Sequence, residues 1–215
     1  NTMISTEEFS KQASVLGLEN NDTLIIYDDF GNFCASRVWF MFKSMGHKNV
    51  YVLDGGLPLY LNLNLPTTST LLEKNQSSQY KCFPDPAYQF VDQDYVLANL
   101  QTSSTTVVDA RSNVRFRGDT AENRANLRAG HIPQSVNIHY NSLLDDKGRF
   151  LSITELKSIF APYLNKPLAF SCGSGVTACI LAQAAVMCGV TAVKVYDGSW
   201  SQWGANIALP IETGE

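Results

Sequence analysis

The chain of 215 residues has no Cys-x-x-Cys pair, no basic run, no stretch approaching twenty apolar residues and only three histidines. Each shortage removes a class of function. Histidines 47, 131 and 139 with unpaired cysteines 34, 82, 172, 179 and 188 make no convincing zinc set. An odd number of unpatterned thiols suits a reducing interior, so the expected compartment is the cytoplasm, with the mitochondrial matrix as the alternative. A net charge of −4 without a basic patch argues against nucleic acid as a partner. The lack of a long apolar run argues against a membrane span, and the start, Asn1-Thr2-Met3, has no signal-peptide shape. What remains is an ordinary globular composition, 45% hydrophobic and 17% charged, with room for one large or two small domains.

What is present centres on Phe170-Ser171-Cys172-Gly173-Ser174-Gly175-Val176-Thr177. Residues 167–170 read as the end of a buried strand, and 176–188 as an almost wholly apolar helix closed by Gly189. A tight strand-to-helix turn aims backbone N–H groups and the positive end of the helix dipole at its occupant. Here the occupant is a thiol, and such a position favours the nucleophilic thiolate. The competing reading is a small buried hydrophobe in a tightly packed turn. The loop alone does not choose between them.

Strand-like and helical runs alternate along the chain, which implies a mostly parallel sheet covered on both faces. Ser5-x-x-Glu8 and Ser152-x-x-Glu155 are capping boxes that open helices. Strands are expected at 23–27, 50–53, 105–110, near 136, at 167–170 and at 193–196. Helices are expected at 35–45, 57–61 and 92–100. The halves repeat: Gly46 and Asp54-Gly55 match Gly189 and Asp197-Gly198 at a constant spacing of 143 residues. At that spacing Cys172 falls on Asp29, so the first copy has no thiol at the nucleophile's place. The stretch 62–86, rich in Asn, Thr, Ser and Pro, reads as a linker.

Val107-Val108-Asp109-Ala110-Arg111, Arg115-Phe116-Arg117-Gly118, Gly130-His131-Ile132-Pro133, the loop from Cys172 to Thr177, and Tyr196-Asp197-Gly198-Ser199-Trp200 occur in one order. Together they resemble the catalytic half of tandem-domain rhodanese-like sulfurtransferases, especially the 3-mercaptopyruvate sulfurtransferases. The resemblance implies an α/β fold of two rhodanese-like domains, each a mostly parallel sheet with helices on both faces. It implies an inactive domain at 1–63, a linker at 64–90 and a catalytic domain at 91–215. The first domain would be incomplete at its N-terminus. It lacks a counterpart of roughly 91–147, a segment expected upstream on a longer native chain or retained as an associated fragment.

For function, the resemblance implies that Cys172 takes sulfane sulfur from a donor, holds it as a persulfide, and passes it to a thiol acceptor such as thioredoxin. No metal or other cofactor is called for. Gly173 and Ser174 stand where the thiosulfate-preferring branch typically has Arg and Lys, so 3-mercaptopyruvate is the expected donor and thiosulfate the alternative. Ser174 matches the family serine that helps activate the sulfur. Arg115 and Arg124 match the arginines that bind the carboxylate and keto group, and Gly173, Gly175, Val176 and Thr177 complete the substrate-binding loop. Ala178 occupies the place of the phosphate-binding arginine in related tyrosine phosphatases, which removes that reading. A non-catalytic rhodanese-like binding module normally lacks the cysteine. Outside this set, Asp109 and Arg111 are expected as a structural ion pair, and His131 as an anchor of its loop. Cys34, Cys179 and Cys188 are expected to be buried, Trp200 and Trp203 to seal the core, and Arg117 and Arg128 to be surface charges.

Overall fold

The computed structural model describes residues 2–70, 76–122 and 124–214. Two parallel sheets share one apolar interior. The first unit contains α1 (Thr6–Val15), β1 (Leu24–Ile26), α2 (Ala35–Ser44), β2 (Val50–Val52) and α3 (Gly56–Asn62). The second runs through β3 (Tyr88–Val91), α4 (Gln93–Thr102), β4 (Thr106–Asp109), α5 (Asn113–Phe116) and β5 (Val136–Asn137). It continues with α6 (Ile153–Phe160), β6 (Leu168–Ser171), α7 (Ala178–Met187), β7 (Val193–Tyr196) and α8 (Ser199–Trp203). Its sheet has the order β3-β7-β6-β4-β5, whereas β1 and β2 pair only with each other among the described residues. All strand pairs are parallel.

Residues at both capping boxes start helices, though unequally. Ser152 and Glu155 satisfy each other's backbone reciprocally, while Ser5 accepts from the Glu8 amide and Glu8 turns its carboxylate to Gln12. The strand β3 was not legible in the sequence, because it falls across the end of the stretch read as a linker. The segment before it is also ordered against the first unit. Tyr80 is buried beside Phe9, Ala13 and Met45, and the amides of Phe83 and Asp85 donate to the carbonyls of Met45 and Ser44 at 3.0 and 3.1 Å.

The apolar character of α7 on every face has a direct cause. One side packs on β6 and β7, and another receives α2 of the first unit. Trp39 and Phe40 of α2 enter the main core, where Phe40 meets Phe90 at 4.9 Å and Trp39 meets Tyr88 at 5.8 Å between ring centroids. Burying each such side chain contributes about 1.5–3 kcal/mol. Because α2 and α7 are equivalent in the repeat, the units meet around a pseudo-twofold axis. The Asp-Gly pairs obey it too. The Met3 amide, two residues before the capping serine of α1, donates to Asp197 Oδ2 at 2.5 Å. The Phe150 amide, two residues before the capping serine of α6, donates to Asp54 Oδ1 at 3.0 Å.

The pairing register corrects the repeat by one residue. Leu24 pairs with Val50 as Leu168 pairs with Val193, so the first strand-to-helix loop holds one extra residue. Asp28, rather than Asp29, is therefore the counterpart of Cys172. Its Oδ2 accepts the amides of Cys34 and Ala35 at 2.6 and 2.8 Å, and its Oδ1 the amide of Phe30 at 2.9 Å. A carboxylate of the chain itself fills the anion-binding turn.

Gly46, at φ +83°, ends α2 in the left-handed region, and a Cβ there would lie 2.0 Å from the Phe83 carbonyl oxygen. Gly46→Ala is expected to lower stability by at least about 2 kcal/mol, through backbone strain and displacement of the strap at Phe83. Chemical denaturation followed by tryptophan fluorescence measures it.

Candidate active site

Cys172 sits just past the carboxyl end of β6, in the middle of the second sheet. Residues following β4, β5 and β7 surround it, as expected for a site above the carboxyl ends of parallel strands. The loop 172–177 turns directly into α7. The Gly175 amide donates to Cys172 Sγ at 3.1 Å, and the Cys172 amide donates to Ser199 Oγ at 3.1 Å. Trp200 and Ser201 amides donate to the carbonyls of Cys172 and Gly173, both at 2.9 Å. The loop is thus held on the side of α8 by two backbone donors and one hydroxyl acceptor, and on the side of α7 by its own turn.

From the first unit, Arg37 on α2 donates to the Gly175 carbonyl at 3.1 Å and pairs with Asp197 Oδ1 at 2.6 Å. Its guanidinium also lies 4.4 Å from the Phe90 ring centroid. Gly175 has φ +77°, and a Cβ there would fall 2.6 Å from the Asp197 carbonyl oxygen. Only glycine fits this corner.

A cavity of 480 Å³ opens over the thiol. Cys172, Gly173, Ser174, Val176, Thr177, Arg115 and Arg124 all line it, while Gly175 lies behind the sulfur. Two groups in this cavity were not singled out from the sequence. Glu122, its side chain 1% exposed, takes Arg111 Nη1 on Oε1 at 2.8 Å and Arg115 Nη2 on Oε2 at 2.5 Å. His139 stands two residues past the end of β5 with Tyr140 beside it. Burial holds the imidazole below its usual pKa, so it is neutral near pH 7. Its place just beyond a strand's carboxyl end was the one available signal. Glu122 lay in a polar loop with none.

The other sequence expectations divide. Arg111 grips Asp109 through Nη2 at 2.7 Å and is sealed under the Trp200 ring, a structural pair as expected. His131 donates from Nδ1 to the Phe116 carbonyl at 2.8 Å, stacks on that ring, and stays outside the cavity. Cys179 is in the core, and burial pushes its thiol far up. Trp200 and Trp203 are fully buried. Three expectations are corrected. Cys188, just past the end of α7, is only partly buried. Cys34 is exposed at the start of α2 and on the cavity rim, because the extra loop residue turns it outward; partial burial and the Asp28 carboxylate raise its pKa. Arg128 is no loose surface charge, since it gathers the carbonyls of Trp203, Gly204, Asn206 and Leu209. Gln134 adopts φ +62° in the turn after Pro133, stabilised by bonds to Ser103 and the Leu100 carbonyl.

Among the described residues, no group of three or more His, Cys, Asp or Glu converges as a metal set. No described helix is long and apolar enough to cross a membrane.

The model of the rhodanese-like domain matches residues 2–63 and 92–206, the two units just described. The chain belongs to the rhodanese-like sulfurtransferase family. Among its relatives in this family is a thiosulfate/3-mercaptopyruvate sulfurtransferase of Arabidopsis thaliana, 38% identical, matched over 99% of this chain and 62% of its own length. The human 3-mercaptopyruvate sulfurtransferase is 40% identical over 92% of this chain and 67% of its own. The crystal structure of the Tum1 protein from Saccharomyces cerevisiae superposes with a TM-score of 0.85 at 27% identity, covering 97% of this chain and 75% of that one. The chain thus spans roughly two thirds of the length of these curated relatives.

Gly175→Ala is expected to keep a cooperative melt while slowing alkylation of Cys172 by iodoacetamide about tenfold, the equivalent of one lost hydrogen bond to a charged group. Peptide mass spectrometry reads each cysteine separately, and Cys34 should alkylate at an unchanged rate.

Proposed function

We propose that this protein is a sulfurtransferase that moves sulfane sulfur from 3-mercaptopyruvate through a Cys172 persulfide to a thiol acceptor. The observation that carries the reading is the meeting of Arg115 and Arg124 with Cys172 in one cavity over a neutral Gly173-Ser174 loop. Thiosulfate is the alternative donor. A two-cation loop would suit that small dianion better than this one does.

The Cys172 thiolate attacks the donor sulfur, and the C–S bond breaks. The electron pair passes to the methylene carbon, which is stabilised as the enolate of pyruvate by its neighbouring carbonyl. Protonation of that carbon releases pyruvate and leaves Cys172 as a persulfide. The Gly175 N–H, aimed at Sγ, stabilises negative charge on sulfur during transfer. Arg115 and Arg124 hold the carboxylate and keto oxygen, so that the C–S bond points at Sγ. Ser174 lines the cavity, and in this reading its hydroxyl hydrogen-bonds the moving sulfur. An acceptor thiolate then attacks the outer sulfur, forming its own persulfide and returning Cys172. The acceptor in this reading is a protein with a reactive thiol, such as thioredoxin.

Incubation with donor should add one sulfur, about 32 Da, to the wild type and nothing to Cys172→Ser, whose turnover should vanish. Turnover surviving in that variant would end the mechanism. Arg115→Gln and Arg124→Gln should each lower kcat/KM for 3-mercaptopyruvate by about 10- to 150-fold, the equivalent of about 1.5–3 kcal/mol for a charge-assisted contact. Steady-state pyruvate release measures this, and an unchanged value would return that arginine to the surface charges.

A further inference from the structure

The wall of the cavity carries a counted set of charges. Among the described residues, Arg111 is held between Asp109 and Glu122, and Arg115 by Glu122 alone, while Arg124 bonds the Ser201 hydroxyl and no carboxylate. The side chains of Arg111 and Glu122 are each 1% exposed, and that of Asp109 2%. Water therefore screens the Asp109–Arg111–Glu122 part of the cluster little, while Arg115, with its side chain 29% exposed, and the exposed Arg124 face the open cavity. Three arginines against two carboxylates leave the wall at +1, a charge that the Cys172 thiolate of the proposed mechanism brings to zero. Glu122 is the pivot, because one carboxylate serves two guanidiniums and its removal alone makes the cavity one charge more positive. It is also aimed through Arg115. The Arg115 fork lies over the loop, where a Cβ on Gly173 would come within 3.4 Å of Nη2.

We infer that Glu122 sets the donor preference of this cavity, by trimming its charge to suit a monoanionic α-keto carboxylate and to disfavour a dianion such as thiosulfate. The inference rests on the proposed reading of this cavity as the donor site. Glu122 acts as a positioning residue, through Arg115, and forms no bond in the reaction. Each positive charge on the wall attracts a dianion about twice as strongly as a monoanion, so the charge that Glu122 removes costs the dianion more. The discrimination comes as much from what is withheld from the wrong donor as from what is offered to the right one.

The test uses unreactive probes, pyruvate as the monoanion and sulfate as the dianion. Each is scored by how well it protects Cys172 from iodoacetamide, read at that peptide by mass spectrometry. In Glu122→Gln, the sulfate-to-pyruvate ratio of dissociation constants should fall about tenfold or more, by the one-charge argument. In Glu122→Asp, which keeps the charge, it should stay within about twofold of wild type. An unchanged ratio in folded Glu122→Gln overturns the inference, and so does an equal shift in Glu122→Asp, which would mark a purely structural role. If Glu122→Gln does not fold, Thr177→Lys adds a cation to the same wall and must lower the ratio likewise; an unchanged ratio there also overturns it. Failure of both anions to protect wild-type Cys172 would remove the donor-site reading and this inference together. A shifted protection ratio without turnover of 3-mercaptopyruvate would remove that compound as the donor and leave the charge selection by Glu122 standing.

Discussion

Arg37 joins the two units at the point where chemistry is expected. One guanidinium, carried on a helix of the first unit, holds the Gly175 carbonyl, pairs with Asp197 and lies over Phe90. Gly175 is the residue whose amide meets the Cys172 sulfur. The orientation of that amide is thus set from both sides of its peptide neighbourhood, by its own turn and by a cation from the other unit. Removing one partner of such a poorly exposed pair typically costs about 3–5 kcal/mol. The first unit therefore contributes to the site without lending it a reacting atom.

The same economy appears in the packing. Equivalent helices, α2 and α7, meet face to face, and equivalent Asp-Gly corners each accept an amide from the opposite unit. An interface built on a local twofold uses each complementary contact twice. It also explains why α7 carries no polar stripe, since neither of its long sides faces water.

Much of this was legible in the sequence. The alternation of runs marked the strands and helices of the second unit, and the Cys172 loop declared itself through glycine spacing beside an apolar helix. What escaped depended on tertiary context. β3 reads as a linker because its short run, Tyr88 to Val91, follows a polar, proline-containing stretch and gains its place only by pairing with β7. Glu122 looked like one more acid on a polar loop until the fold brought Arg111 and Arg115 to the same side. A constant spacing of the repeat concealed the one-residue insertion, because no residue in the loop shows where the extra one entered; only strand register reveals it. The outward turn of Cys34 follows from that insertion.

Asp28 has a further consequence. The first strand-to-helix loop carries its anion covalently, so its amides are answered at all times and no dissociation can empty it. The loop around Cys172 has a single sulfur in that place and must keep its remaining capacity open for cargo that arrives and leaves. Exchanging Asp28 for cysteine would not turn the first loop into a second transfer centre. The extra residue offsets the helix start, and the arginine-bearing segment that walls the other cavity has no counterpart among the described residues of this unit. Reversal of that loop to a working one would need an insertion undone and a wall supplied, which makes the division of labour between the two units hard to undo by single steps.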